Sequence, residues 1–245
     1  TQDFACLVLS VQFDHLWNGV YGLDSNNKAQ LLGPDAIINL EANVNLTGTG
    51  IGGLGFDTSN VASVFAGTLN GKGHTVTHAI GEPYGMRGDM AIATDDTTAG
   101  NGKIYRHNRL GLLSAVGGAS INDLTIDGAM NFDNGAAVDA GTLAATLSGD
   151  ATLSGVTCEA EITCDDTFGN DANIGGIAGS MTGAGTVLLD SNASNGAVAA
   201  SKAQAIIKTG GTLNGATCIG GAVGYVGDVA STFNVASLEV GGSIT

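Results

Sequence analysis

Positive charge and aromatic side chains are scarce in this sequence of 245 residues. Only 8 Lys and Arg stand against 23 Asp and Glu, and Phe, Trp and Tyr together make up 5% of the chain. Beyond Arg109 the basic residues are Lys202 and Lys208, whereas a phosphate-binding surface needs clustered Lys and Arg. The composition therefore argues against nucleic acid as a partner, and the net charge of −15 is typical of a surface kept soluble by acidic residues.

Long apolar runs are also missing. Runs such as residues 5–11 stay far below the roughly 18 consecutive residues that a transmembrane helix requires, so the sequence predicts no membrane span. The chain starts at Thr1 without a positively charged leader followed by an apolar segment. We expect a processed, exported protein, although a piece excised from a longer chain would look the same.

Glycine, in contrast, is abundant, with 40 residues, and it accompanies four apolar segments that recur along the chain. These segments start at Leu110, Leu143, Ile174 and Ile219, which are 33, 31 and 45 residues apart. Repeats of this length are typical of units that bury their apolar faces by stacking. IGGIAGSM and IGGAVGYV also look like glycine-rich phosphate loops, but such a loop normally occurs once and precedes a helix. No helical pattern follows either segment, so we interpret them as corners at which stacked units approach closely.

Two segments alternate apolar and polar residues with the period of a β-strand. In residues 36–46 the apolar face is formed by Ile38, Leu40, Ala42, Val44 and Leu46. In residues 156–165 it is formed by Val156, Cys158, Ala160, Ile162 and Cys164. Each segment is therefore predicted to be a strand with one buried and one exposed face.

The order of motifs resembles that of surface proteins with GLUG-type repeats. NLEANVNLTGTG, VFAGTLNGKGHTVTHAI and GLLSAVGGASINDLTIDG precede the two IGG segments. The first family motif is matched by Phe65, Gly67, Gly71, Gly73 and His74, and the later repeats are matched by Gly175, Gly176, Gly179, Gly220, Gly221 and Gly224. The resemblance covers roughly residues 36–245 and implies a right-handed parallel β-helix on a bacterial or archaeal cell surface. A β-sandwich with Greek-key connections is the alternative fold.

The chain divides into two predicted parts. Residues 36–245 are expected to form a glycine-rich, all-β solenoid, with inserts at residues 81–106 and 199–217. Residues 1–35 contain an apolar, strand-like stretch, and we expect this segment to cap the solenoid or to take part in assembly.

No combination of polar side chains specifies a catalytic, cofactor-binding or metal-binding site. The adjacent carboxylates Asp165 and Asp166 would point to opposite faces of a strand. His74 and His78 share a strand face, but no nearby Cys or acid completes a zinc ligand set. Residues 52–57, GGLGFD, match the start of a calcium-binding nonapeptide repeat, which needs tandem copies. We therefore expect a non-enzymatic protein without a cofactor.

Cysteines and glycosylation triplets are the candidate modification sites. The four cysteines lack the CxxC spacing of metal or redox sites, and their even number in an exported protein favours disulfides, with buried thiols as the alternative: Cys6, Cys158, Cys164 and Cys218. On one strand Cys158 and Cys164 would lie about 20 Å apart, beyond the roughly 7 Å that a bridge allows, so we expect them in separate bridges. Asn45 in NLT and Asn192 in NAS are acceptor triplets for N-glycosylation.

Together these features predict a non-enzymatic, extracellular protein of the cell surface or cell envelope. We expect a structural protein that self-assembles into a sheath, surface layer or filament, or one that mediates adhesion. Its expected partners are other copies of itself, with cell-surface glycans as further candidates. The alternative is a carbohydrate-binding or polysaccharide-degrading β-helix protein. Sugar sites generally need exposed aromatic side chains, and one Trp and four Tyr support that alternative poorly.

Overall fold

The computed structural model describes ten parts of the chain: residues 33–47, 64–80, 109–133, 138–165, 171–182, 185–190, 201–210, 217–227, 231–235 and 237–245. All regular structure in these residues is β, and no helix occurs among them. Every strand pairing that they form is parallel. These ten parts contain no helix that is long and apolar enough to cross a membrane.

The strands form three sheets. The largest has twelve strands: β1 (Ile37–Asn39), β2 (Val44–Asn45), β4 (Thr68–Ile80), β7 (Ser120–Asp133), β10 (Ala151–Cys158), β11 (Glu161–Asp165), β14 (Gly185–Asp190), β15 (Ser201–Ala203), β16 (Ile206–Gly210), β19 (Ser231–Val235), β20 (Leu238–Val240) and β21 (Ser243–Ile244). A five-stranded sheet contains β3 (Val64–Phe65), β6 (Leu113–Gly117), β9 (Ala144–Ser148), β13 (Ala178–Met181) and β18 (Val223–Val226). A four-stranded sheet contains β5 (Arg109–Leu110), β8 (Val138–Gly141), β12 (Ala172–Gly175) and β17 (Thr217–Gly220).

The chain visits the three sheets repeatedly and in the same order: the five-stranded sheet, then the large sheet, then the four-stranded sheet. We call one such passage a layer. Strands β6, β7 and β8 make one layer, and β9 to β12 make the next. Because neighbouring layers pair strand by strand and in register, residues at equivalent positions form rows that run through the molecule.

The core lies between the sheets and consists of such rows. Leu69, Ile121 and Leu153 are aligned on β4, β7 and β10, and each is at most 1% exposed. They belong to the larger of two apolar clusters, and the smaller one is built around Met130 and Ile162. Because full burial of a Leu or Ile side chain is worth about 1.5–3 kcal/mol, these rows are the main source of stability.

The predicted right-handed parallel β-helix is wrong, and so is the alternative β-sandwich. The strands are distributed over separate parallel sheets of unequal size, and the largest sheet branches, so the described chain does not form one uniform coil. β7 pairs with β10 along residues 120–126 and with β11 along residues 129–133. A Greek-key sandwich requires antiparallel neighbours, whereas the described neighbours are parallel. Alternating side chains define the two faces of a strand but not its partners, so the sequence predicted strands without their arrangement.

The alternation predicted for residues 156–165 is confirmed. Its apolar members are all at most 1% exposed: Val156, Cys158, Ala160, Ile162 and Cys164. The segment is nevertheless two strands, because β10 ends at Cys158 and β11 begins at Glu161. In residues 36–46 the prediction is wrong for Ala42, which is exposed in the bend between β1 and β2, and Ile38 is half-buried. Leu40, Val44 and Leu46 are buried as predicted.

Several predicted features lie outside the described residues. They are the segment before residue 33, the insert at residues 81–106, the GGLGFD segment, Asp166, Cys6 and Asn192. Part of the other predicted insert is described and forms β15 and β16. These two strands pair with β10 and β11, so this part of residues 199–217 belongs to the large sheet.

Candidate functional site

The two IGG segments form corners between sheets, and their backbone is engaged within the protein. The N–H groups of Ile177 and Ala178 donate hydrogen bonds of 2.8 and 3.1 Å to the carbonyl oxygen of Ala222. A Cβ at Gly179 would lie 2.3 Å from the backbone nitrogen of Ala140. An anion site needs N–H groups that point at the ligand, whereas these groups join one layer to the next. The segments are therefore packing corners.

One apolar row of the five-stranded sheet ends in solvent. It runs through Val116, Leu147 and Met181 to Val226. Its first three members are at most 2% exposed, whereas Val226 is 50% exposed. Val226 occupies a core position in a layer that has no further described layer beyond it.

The large sheet shows the same change in exposure twice. One row passes through buried residues to Val240: Val76, Ile126, Cys158 and Ala203. Another passes through Met130, Ile162 and Ile207 to Ile244. The terminal residues Val240 and Ile244 are 61% and 51% exposed.

These residues lie on one end of the molecule. We call the outer edges of β18, β19, β20 and β21 the rear end. Within the described parts of the chain, no strand pairs with these edges. An unpaired backbone edge beside exposed apolar side chains can accept a further strand. The rear end is therefore a candidate interaction surface, and the 45% exposed Tyr225 lies on it next to Val226.

The opposite end is less open. We call the outer edges of β1, β2 and β3 the front end, and there Ile37 and Val64 are 67% and 48% exposed. The inward-facing Val44 and Phe65 of these strands are buried. Among the large apolar residues that are exposed in the described chain, only Ile206 lies away from the two ends. Exposed apolar surface is therefore concentrated at the ends, and mainly at the rear.

Polar side chains on the sides of the molecule connect the layers. Asn70 donates from Nδ2 to Oδ1 of Asn39 over 2.9 Å, and Asn122 donates from Nδ2 to Oδ1 of Asn70 over 3.2 Å. Ladders of this kind stabilise parallel strands that are stacked in register. These amides therefore have a structural role.

Ion pairs connect the layers in the same way. They join Lys72 to Glu41, Lys202 to Glu239 over 3.1 Å, and Lys208 to Glu161 over 2.8 Å. The hydrogen bond and the charge of Lys72 hold the pKa of Glu41 below its ordinary value. All three pairs are partly or largely exposed, so their main effect is on the alignment of neighbouring layers rather than on stability.

The described residues do not assemble a site for metal chemistry. In the part of the chain that the structure describes, no three His, Cys, Asp or Glu side chains are grouped so that they could hold a metal ion. Nδ1 of His74 lies 3.3 Å from Oδ1 of Asn43. The side chain of His78 lies outside the described part of the chain, so the relation between the two histidines stays a prediction.

Three of the four predicted disulfide cysteines have described positions. Cys158 and Cys164 are buried in β10 and β11, and Cys218 is half-buried in β17. No bridge joins any two of these three residues. A bond that involves Cys6 or another copy of the chain stays a prediction.

Cys158 should be chemically inert in the native protein. It occupies a core position between Ile126 and Ala203 of the adjacent layers. Burial raises the pKa of its thiol, and the negative charge of Glu159 raises it further. Because the thiolate is the nucleophile, we expect iodoacetamide to label Cys218 but not Cys158 in the reduced native protein at mildly alkaline pH. Peptide mass mapping before and after unfolding in urea measures this, and native labelling of Cys158 would contradict it.

Asn45 presents a glycosylation triplet to solvent. Asn45 lies in β2 with an exposed side chain, and Thr47 is exposed as well. Oδ1 of Asn45 accepts hydrogen bonds from the backbone N–H of Thr47 over 2.9 Å and from its Oγ1 over 2.6 Å. Leu46 between them is 1% exposed and anchors the triplet to the core. The acceptor amide and the hydroxyl therefore lie together at the surface.

We expect Asn45 to carry a glycan when the full chain is exported from a host with an oligosaccharyltransferase. The added mass should disappear in Asn45→Gln and in Thr47→Val, and it should remain in Thr47→Ser, because the triplet requires a hydroxyl. Intact-mass measurement and peptide mapping detect the glycan. An unmodified Asn45 peptide from cells that glycosylate a reference protein would count against this site.

Sequence reasoning did not single out Val226 as an exposed residue. A signal for its position exists in the repeat. Alignment of IGGAVGYV with IGGIAGSM places Val226 at the position of Met181, and the two residues are register partners in the structure. The alignment thus assigns Val226 to a core row. Its exposure follows only from the end of the described layers, which no local pattern encodes.

Comparisons with family models, curated proteins and solved structures return no match to this chain. The resemblance to GLUG-type repeats therefore depends on the motif residues alone. The functional interpretation depends on the fold and on its two ends.

Proposed function

We propose that the protein is a non-enzymatic structural component of a cell envelope, located outside the cell, that associates with further copies of itself. The observation that carries this proposal is the rear end, where buried apolar rows terminate at the exposed residues Val226, Val240 and Ile244. The glycine motifs that resemble GLUG-type repeats support a cell-surface location. The proposed assembly is a sheath, a surface layer or a filament.

Association at the rear end should be favourable, because it removes apolar side chains from water and pairs open sheet edges. Full burial of a Val or Ile side chain is worth about 1.5–3 kcal/mol, so removing the exposed half from water yields about 1 kcal/mol per residue. Monomeric proteins protect open sheet edges with charges, prolines or covering segments. On the described strands β18 to β21 the one charged side chain is Glu239, and Lys202 of the preceding layer pairs with it.

Association of the native full chain tests this proposal. We expect the particle mass measured by light scattering to rise with protein concentration, and electron microscopy to show assemblies. Val240→Lys should weaken association, because it places a charge on the rear end at a position that is already exposed and can tolerate it. Ile206→Lys is the matched control, since Ile206 is exposed away from the ends and its replacement should leave association unchanged.

A native chain that does not associate would contradict the proposed function. If the native chain stays monomeric at every concentration and under oxidising conditions, the proposal fails. Binding of that monomer to one member of a panel of neutral and acidic polysaccharides would then favour a carbohydrate-binding protein.

A further inference from the structure

We infer that residues 5–13 of the same chain add a parallel strand to the outer edge of β1, with Cys6 opposite Ile37 and Leu7 opposite Ile38. Residues 5–13 lie outside the described part of the chain. The inference is independent of the proposed association, because it concerns the way in which one copy closes its own front end.

The core rows are covered at the front end and open at the rear end. One row of the large sheet starts at Val44, which is 4% exposed, and ends at Val240, which is 61% exposed. One row of the five-stranded sheet starts at Phe65, which is 1% exposed, and ends at Val226, which is 50% exposed. Within the described residues, no strand lies outside β1, β2 or β3 in their sheets. The burial of Val44 and Phe65 therefore requires a covering segment from elsewhere.

The outer edge of β1 has backbone groups that can bind such a segment. The carbonyl oxygen of Ala36 accepts a hydrogen bond of 2.8 Å from Thr68, and the N–H of Leu40 donates one of 2.9 Å to Asn70. Residues of a parallel strand bond alternately to its two sides, so the N–H and C=O groups of Ile37 and Asn39 point away from β4. In the described chain, β4 is the only strand that pairs with β1. The edge formed by Ile37 and Asn39 can therefore accept a strand.

The length of one layer selects residues 5–13 as this strand. Ile37 is the register partner of Thr68, 31 positions later. The same step taken towards the start of the chain leads from Ile37 to Cys6. The sequence around Cys6, ACLVLSVQF, contains no charged residue, no Gly and no Pro, and such a composition favours a strand.

The side-chain pattern of this segment selects the register. A step of 31 positions puts an unbroken apolar set on the core-facing side: Leu7, Leu9, Val11 and Phe13. A step of 32 would turn Ser10 and Gln12 towards the core instead. In the favoured register Leu9 lies opposite Leu40, and this contact accounts for the 3% exposure of Leu40 at the front end.

The added strand has a consequence for interactions of the protein. An open edge is a template on which a strand of another chain can pair. With residues 5–13 in place, the edge of β1 is occupied within the same copy. The front end of the large sheet is thereby protected against strand addition by other chains.

A disulfide between native Cys6 and a cysteine introduced at position 37 tests the register. Directly opposite residues of neighbouring strands are about 4.8 Å apart, within the Cα distance that a bridge allows. We expect Ile37→Cys in the full chain to form a 6–37 link within the monomer after mild oxidation, as mapped by mass spectrometry of the digested monomer band. Ile37 is 67% exposed, so the substitution should not prevent folding, which circular dichroism checks.

Asn39→Cys is the matched control. Asn39 is exposed on the same face of β1, two positions further along. A cysteine there would lie opposite Val8 and beyond the roughly 7 Å that a bridge to Cys6 allows, so we expect no link. An equally strong link from Asn39→Cys would overturn the register. A 6–37 link confined to the dimer band would overturn the assignment to the same chain.

Amide hydrogen exchange gives a second measurement that does not depend on disulfide geometry. We expect the N–H groups of Ile37 and Asn39 to be protected in the unmodified chain. Their protection should fall at least tenfold in Leu9→Asp, which places a charge on the core-facing side, and it should persist in Ser10→Asp on the opposite side. Unprotected amides at both positions of the unmodified chain would overturn the inference. Protected amides without a 6–37 link would assign the edge to a different segment and would overturn it as well.

Discussion

Gly175→Ala should lower the free energy of unfolding by more than about 3 kcal/mol. A Cβ at this position would lie 2.0 Å from the carbonyl oxygen of Ala178 and 2.7 Å from the backbone nitrogen of Gly224. Both contacts are with backbone atoms, which cannot rotate away as a flexible side chain can. The corner between β12 and β13 would have to open, and the layers packed against it would move apart. Urea unfolding of the purified variant and the parent protein measures the difference.

Variants at two other glycines distinguish the effect of a close backbone contact from the general effect of an added methyl group. For Gly241→Ala the nearest atom would be Cγ of Gln204 at 3.6 Å, and we expect a change within about 0.5 kcal/mol. Gly73 has a φ of +75°, and a Cβ added there would have no atom within 4 Å, so its replacement adds backbone strain alone. That strain should cost about 1 kcal/mol. If Gly175→Ala costs no more than Gly73→Ala, the layers do not approach as closely as the structure indicates.

The corners could be predicted from the sequence because their chemistry is local. A Cβ at Gly141 would meet the carbonyl oxygen of Ala144 at 2.4 Å, and one at Gly220 would meet that of Val223 at 1.9 Å. A Cβ at Gly175 would likewise meet the carbonyl oxygen of Ala178, so in all three cases the contact is with the residue three positions later. Each of these three corners thus requires glycine at the same place, and this requirement is visible as a repeat. The burial of alternate residues in 156–165 was predictable for a similar reason, since it depends on strand geometry alone.

The branching of the large sheet could not be predicted in this way. On one side β10 pairs first with β14, up to Ser154, and then with β15, from Thr157 onward. Between these positions Gly155 adopts a φ of +64° and interrupts the strand geometry. A side-chain pattern shows which face is buried but not where a strand changes partner. In the same way, the repeat places Val226 in a core row but does not show that this residue is exposed.

Ser201→Ala should destabilise the protein by about 3 kcal/mol, because Ser201 fills the gap at this branch point. Oγ of Ser201 accepts a hydrogen bond of 3.2 Å from the backbone N–H of Val156 and donates one of 3.3 Å to the carbonyl oxygen of Leu153. Ser201 is fully buried. Alanine would leave a backbone donor and a backbone acceptor buried without these bonds, and each such group costs about 1–3 kcal/mol. Urea unfolding measures the loss in free energy of unfolding.

Ser148→Ala is the matched control for this effect. Oγ of Ser148 also donates to a backbone carbonyl, that of Val116 over 3.3 Å, but Ser148 is half-buried, so water can replace the bond. We therefore expect Ser148→Ala to cost less than about 1 kcal/mol. Amide hydrogen exchange gives a second readout at the branch point itself. The N–H of Val156 should exchange faster in Ser201→Ala than in the parent protein, whereas Ser148→Ala should leave its rate unchanged. Equal protection of Val156 in all three proteins would mean that Ser201 does not hold the two branches of the sheet together.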